Sequence, residues 1–207
     1  SVESVYADLG ILYAGDFYMN LDIKTPAERI RNIIQLVEPA AIISTTRQIK
    51  PIEGIIPLTT KVILLDEADE TAEVDGTAIS RRLSTIIDTD PSCIINTSGS
   101  TGTPKGVVLN HKSFFDFIDW ALDTFHFGDD LVMGSLSPIV FDIYSFELCM
   151  LMAKASTLVV LPAHLAAFPA KILEVLEKHQ VNFLFWVPTI MVNIANRDLL
   201  SAFKLRS

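Results

Sequence analysis

The stretch Thr97-Ser98-Gly99-Ser100-Thr101-Gly102-Thr103-Pro104-Lys105-Gly106 joins two apolar, strand-like runs and has the residue types of a phosphate cradle. Its glycines let backbone amides come close to an anion. The hydroxyls of Ser98, Ser100, Thr101 and Thr103 add donors, and Lys105 places a positive charge at the far end. It is not a Walker loop: proline rather than glycine precedes the lysine, and no Ser or Thr follows it. Nor is it the GxGxxG dinucleotide fingerprint. A P-loop phosphotransferase would continue directly into a helix, whereas Gly106-Val107-Val108-Leu109 is a β-branched strand pattern. The bland alternative is a flexible Ser/Thr/Gly connector, and this density of donors ending in a lysine favours phosphate.

A second place for chemistry is Phe141-Asp142-Ile143-Tyr144-Ser145-Phe146-Glu147-Leu148. Asp142 opens an otherwise very apolar helix, where a carboxylate either caps the helix or finds a cation. Phe146 follows one turn later on the same face and either lines a pocket beside Asp142 or belongs to the core. His111, after the strand that follows the loop, is either a polar residue at a helix start or a functional one. The aromatic run Asn182-Phe183-Leu184-Phe185-Trp186-Val187-Pro188-Thr189 is read as core.

The elements that must position these residues alternate between helical and strand-like apolar periods, which predicts an α/β chain with sheets covered by helices. Helices are expected over Val2–Ala14, closed by Gly15, and from Thr25, where Thr25-Pro26-Ala27-Glu28 offers an N-cap, a first-turn proline and a capping-box glutamate, to a stop before Pro39. Strands are expected at Ala41–Ser44, Lys61–Leu65, Cys93–Thr97 and Gly106–Leu109. Residues 66–90, with the turn signal Asp75-Gly76, read as a connector and a lobe boundary within a domain spanning 1–207. Further on, helices are expected over Lys112–Phe125, Ile143–Ala153, Ala170–His179 and Ile190–Leu200, with strands at Thr157–Leu161 and Asn182–Val187.

Composition limits the partners. The net charge is −9, with acidic residues spread along the chain, so the basic stripe of a nucleic-acid surface is not expected. Local amides and one lysine can still hold a nucleotide's phosphates against that field. Cys93 and Cys149 lie far apart with no CxxC pair, so neither a zinc site nor a disulfide framework is indicated, and a reduced, cytoplasmic setting is expected. Glu3 and Asp8 stand where a secretory signal needs positive charge. Residues 148–170, the most apolar region, are interrupted by Lys154, Pro162, His164 and Pro169, a poor membrane span.

The order TSGSTGTPKG between two strands resembles the phosphate loop of the adenylate-forming superfamily, which includes acyl-CoA synthetases, luciferases and nonribosomal-peptide adenylation domains. Residues 15–30 resemble its G-x-x-Y-x-P-x-D-x-x-x-P-x-x-R-I segment, with Asn20 in place of a proline, and residues 141–147 its F-D-x-S-x-x-E segment, with Tyr144 in place of a serine. The resemblance implies the large N-terminal domain of an ATP- and Mg2+-using ligase that makes an acyl adenylate and passes the acyl group to a carrier-protein or CoA thiol. It assigns Thr97, Ser98, Gly99, Ser100, Thr101, Gly102 and Lys105 to the ATP phosphates, and Asp142, beside Phe146, to the ammonium group of an amino-acid substrate. An acyl- or aryl-CoA synthetase and a non-catalytic nucleotide-binding module are the alternatives. The family's adenine-binding aromatic, metal-binding glutamate, ribose-binding aspartate and catalytic lysine have no counterpart in this chain. A piece of a longer protein, inactive by itself, is therefore expected, with no metal ligands of its own.

Overall fold

The computed structural model describes residues 1–69, 71–97, 105–197, 199 and 201, and the chain divides into two compact units, Glu3–Val108 and Leu109–Ser207 together with Ser1–Val2. In the first unit, α1 (Val2–Tyr13) ends where the sequence places its stop. Gly15 takes φ +80°, and its amide returns to the Leu12 carbonyl at 3.0 Å, a left-handed closure that a side chain would strain. A short strand that the sequence pattern does not announce, β1 (Tyr18–Met19), follows. Helix α2 (Ala27–Val37) buries Ile30, Ile33 and Ile34, apolar residues at the i, i+3, i+4 spacing of one helix face.

The capping box expected at Thr25 does not form. Pro26, with extended ψ of 139°, is the N-cap residue, so the Thr25 hydroxyl sits one position too early, and Glu28 lies 3.8 Å from Arg31 instead. The chain continues through β2 (Ala41–Ser44), α3 (Thr46–Ile49) and β3 (Lys61–Leu64), with β2 and β3 parallel and paired Ala41↔Lys61 to Ser44↔Leu64.

Residues 66–90, expected as a connector, lie inside the first unit and contain α4 (Gly76–Leu83). Asp75 is the N-cap of this helix, its Oδ1 accepting from the Ala78 amide at 2.9 Å. A short acceptor next to a permissive glycine serves a helix cap as readily as a turn. Strands β4 (Pro91–Thr97) and β5 (Lys105–Asn110) complete the sheet β1-β4-β5, in which Tyr18↔Cys93 and Met19↔Ile94 pair in parallel.

In the second unit, α5 (His111–Thr124) is capped by Asn110, whose side-chain oxygen accepts from the Ser113 amide at 2.9 Å. Strand β6 (Val132–Ser135), helix α6 (Asp142–Lys154) and strand β7 (Thr157–Val160) follow, with β6 and β7 parallel from Val132↔Thr157 to Ser135↔Val160. Helices α7 (Pro169–Lys178) and α8 (Pro188–Ala195) close the described part.

Two expectations fail here. Of Asn182–Val187 only Phe183 pairs, as an isolated bridge to Met133. The Asn182 side chain takes the next backbone groups itself, accepting from the Val132 amide at 2.8 Å and donating to the Asp130 carbonyl at 2.9 Å. Helix α8 begins two residues before Ile190 because Pro188 occupies a first-turn position, where its fixed φ suits a helix and no amide is needed, and it ends at Ala195 rather than Leu200. The core of this unit comprises one cluster around Leu161, Ile172, Leu173, Leu176, Val181 and Trp186, and a second around Ile118, Ala121, Leu131, Met133, Phe146 and Met150.

Candidate functional site

Of the loop residues that the sequence assigns to phosphate, Ser98, Gly99, Ser100, Thr101 and Gly102 lie outside the described residues; the two that flank them are in place. Thr97 ends β4 and Lys105 begins β5, neighbours in one sheet, and the Thr97 hydroxyl reaches toward the Lys105 carbonyl at 3.4 Å. Both are exposed. Adjacent strands thus hold the two ends of the 98–104 segment together. At Gly106 a Cβ would stand 3.0 Å from Ile94 Cγ2, so its smallness serves the close approach of β4 and β5.

The second candidate region belongs to the second unit. Asp142 is the first residue of α6, and the N-cap is Phe141, so the carboxylate is a first-turn acid and not the cap. Its Oδ1 accepts from the Ile143 amide at 2.9 Å. It is exposed, and among the described residues no lysine or arginine pairs with it. The positive end of the helix favours negative charge at this position.

Phe146, one turn on, is only 3 % exposed. Its ring meets Phe117 edge-on with centroids 5.4 Å apart, Phe185 edge-on at 5.1 Å and Phe183 at 6.2 Å. The structure therefore places it in the core cluster, with half-exposed Phe117 and Phe185 packed against it. His111 opens α5 and stacks on Phe115, with ring centroids 6.3 Å apart. A groove of about 510 Å³ in the same unit is lined by Phe168, Lys171, Arg197 and Leu199 and contains none of the residues singled out from the sequence.

The glutamate that completes the F-D-x-S-x-x-E likeness, to which the sequence assigns no role, lies five positions after Asp142. Glu147 is 1 % exposed, in the middle of the apolar helix. The Ser135 hydroxyl, at the end of β6, donates to its Oε2 at 2.5 Å, and Oε1 has no hydrogen-bond partner among the described residues. Burial pushes the carboxyl up to about 7, against the opposing pull of the Ser135 bond. A signal was present in the sequence: Glu147 is the one charged residue between Asp142 and Lys154 in a helix whose other side chains are mostly apolar, and such a residue must find a partner or shed its charge.

The family described as AMP-binding enzyme matches residues 1–206. Indigoidine synthase of Streptomyces lavendulae is 28 % identical over 198 residues, covering 96 % of this chain and 15 % of that protein. The L-proline--[L-prolyl-carrier protein] ligase of Pseudomonas fluorescens is 26 % identical, covering 97 % of this chain and 41 % of its own length. Among solved structures, the adenylation domain AlmE of Vibrio cholerae, in complex with glycyl-adenosine-5'-phosphate, superposes with a TM-score of 0.78 over 97 % of this chain and 41 % of that one, at 17 % identity, a likeness of fold. The chain spans less than half the length of each of these proteins. With the family match running almost end to end, the chain belongs to the AMP-binding enzymes, the adenylate-forming superfamily, and is part of the large N-terminal domain of such an enzyme.

Proposed function

We propose that this chain is the phosphate-loop part of an ATP-dependent ligase that activates an α-amino acid as its adenylate, for transfer to a carrier-protein or CoA thiol. The observation that carries the amino-acid reading is Asp142: an exposed carboxylate at a helix start, with no cation partner among the described residues, at the position where the family's amino-acid-activating members hold the ammonium group. The relative that acts on L-proline is consistent with it.

In this reading the substrate carboxylate attacks the α-phosphate of ATP, the bond to the β-phosphate breaks, and pyrophosphate leaves. Thr97, Ser98, Gly99, Ser100, Thr101, Gly102 and Lys105 hold the phosphates, and Lys105 neutralises the charge that grows on the leaving group. Asp142 orients the amino acid through its ammonium group, and Phe146, one turn along α6 and packed against Phe117 and Phe185, backs the pocket beside it. Mg2+ would arrive on the ATP phosphates. A cytoplasmic setting belongs to the same proposal; among the described residues no helix is long and apolar enough to cross a membrane. Assayed as these 207 residues alone, the chain is proposed to give little or no adenylation.

Acid-dependent pyrophosphate exchange by the complete gene product, comparing α-amino acids with their des-amino analogues, tests the reading. Amino acids should be strongly preferred in wild type, and Asp142→Ala should erase the preference. Equal exchange with des-amino acids in wild type would overturn it in favour of an acyl- or aryl-acid ligase.

A further inference from the structure

The buried carboxyl of Glu147 takes no part in the reaction described above, yet its partner and its place in the chain give it a task. Ser135 is the last residue of β6, and Glu147 lies in the second turn of α6. Their hydrogen bond therefore closes the segment 136–146, and Asp142 lies inside that closed segment. Within it, the Phe141 amide donates to the Pro138 carbonyl at 3.1 Å, a turn that delivers the chain directly to Asp142. At the strand end the anchor is firm on both sides: the Leu161 amide donates to the Ser135 carbonyl at 2.8 Å, and the Trp186 indole donates to the Gly134 carbonyl at 2.7 Å.

A purely apolar residue at 147 could pack in this helix without a desolvation penalty. A buried carboxyl with one oxygen left without a partner among the described residues is a costly substitute, and fixing an orientation is the gain such a group can give. We propose that Glu147 is a positioning residue for substrate recognition: by holding Ser135 it fixes the rotation and axial setting of the first turns of α6, and so the direction in which Asp142 presents its carboxylate. This rests on the reading of Asp142 as the ammonium ligand. It differs from a general stabilising role in predicting an effect confined to the amino-acid side of the reaction.

The test is pyrophosphate exchange by the complete gene product carrying Ser135→Ala, Glu147→Leu or Glu147→Gln, with KM measured separately for amino acid and for ATP. Ser135→Ala and Glu147→Leu should raise the amino-acid KM roughly tenfold or more and shrink the preference over the des-amino analogue, with the ATP KM unchanged, as expected when a binding group is misplaced by a fraction of an ångström. Glu147→Gln keeps a carbonyl acceptor for the Ser135 hydroxyl and should restore values near wild type. Should Glu147→Leu fail to fold, Ser135→Ala, the smaller change, decides alone. An unchanged amino-acid KM in Ser135→Ala, or a parallel loss for ATP and amino acid, overturns the proposal. Asp142→Ala, run alongside, separates the two ideas. If it leaves the preference intact, the reading of Asp142 has failed; if it erases the preference while Ser135→Ala does nothing, only the positioning role has failed.

Discussion

The loop between β4 and β5 and the first turns of α6 carry their chemistry in different ways. In the proposed reading the recognition groups of the first region are backbone amides, small hydroxyls and one lysine, all contiguous in sequence from Thr97 to Lys105. Their function depends on order along the chain, so a reader of the sequence sees it directly. Helix α6 holds two carboxyls five residues apart with opposite surroundings: Asp142 is exposed, and Glu147 is 1 % exposed against a strand that ends twelve residues earlier. Nothing in the residue type separates these two. A site made of local donors is legible from composition, whereas a site made by burial depends on what the helix packs against.

The largest difference between the two regions should emerge on removing Lys105. Lys105→Ala is expected to lower exchange by roughly 10²–10³-fold, as for loss of a preorganised charge at a reacting phosphate. It should do so equally for amino and des-amino acids, because the proposal assigns the lysine to the ATP phosphates and not to the acid. An altered acid preference in that variant would mean that the loop takes part in substrate choice, and the division of labour would fail.

The next effect is one of pH. The Glu147 carboxyl titrates at about 7 in the folded chain, above the ordinary glutamate value of 4.5. Below pH 4.5 it is protonated folded and unfolded alike, and its burial carries no charge penalty. As pH rises from 4.5 through about 7 the unfolded chain gives up the proton while the folded chain retains it, so folding loses about 3 kcal/mol across that window and nothing further above it. Glu147→Gln carries no titratable group and should lack this component. The titratable residues of neighbouring α5, partly exposed His111 and exposed Lys112, Asp116, Asp119 and Asp123, are common to wild type and variant, and β6 and β7 have none, so the difference belongs to Glu147. The difference in urea midpoint between variant and wild type, measured at pH 5 and pH 8, should move in favour of the glutamine as pH rises. An unchanging difference would show that the carboxyl is not buried as described.

These outcomes bear on what could be read beforehand. The α/β class, the strands β2 to β5 and the helices α1, α5, α6 and α7 follow from apolar period and from Gly, Pro and Asn at their ends, which are local signals. The failures share a cause. Asn182–Val187 has the composition of a strand, but its edge is occupied by the Asn182 side chain, and Trp186 spends its indole on Gly134. Strand β1, two residues long, exists because β4 lies beside it. Phe146 suits pocket or core equally by its spacing from Asp142, and the rings of Phe117, Phe183 and Phe185, distant in sequence, set it in the core cluster. Trp186→Phe measures one such contact: it leaves the buried Gly134 carbonyl without its donor and should lower stability by about 1–3 kcal/mol in urea unfolding. A loss below a few tenths would mean that the stretch is held by packing alone.

The smallest expected effect concerns Asn20, where a local motif departs from its family pattern and a distant contact gives the reason. The resembling segment carries proline at this position, and proline would restrict the unfolded chain, a gain of roughly 0.4–1 kcal/mol where the backbone can accept it. Asn20 instead donates from Nδ2 to Asp8 Oδ2 at 2.8 Å, and Asp8, on α1, is 2 % exposed. Removing a donor from a buried carboxylate costs about 1–3 kcal/mol, which exceeds the entropic gain. Asn20→Pro should therefore destabilise the chain by a net amount on the order of 1 kcal/mol, and by less in an Asp8→Ala background, where the oxygen to be satisfied is gone. Equal cost in both backgrounds would mean that the Asp8 bond is not what holds asparagine here. The departure from the motif would then be a matter of the local backbone after all, legible in the same way as the loop.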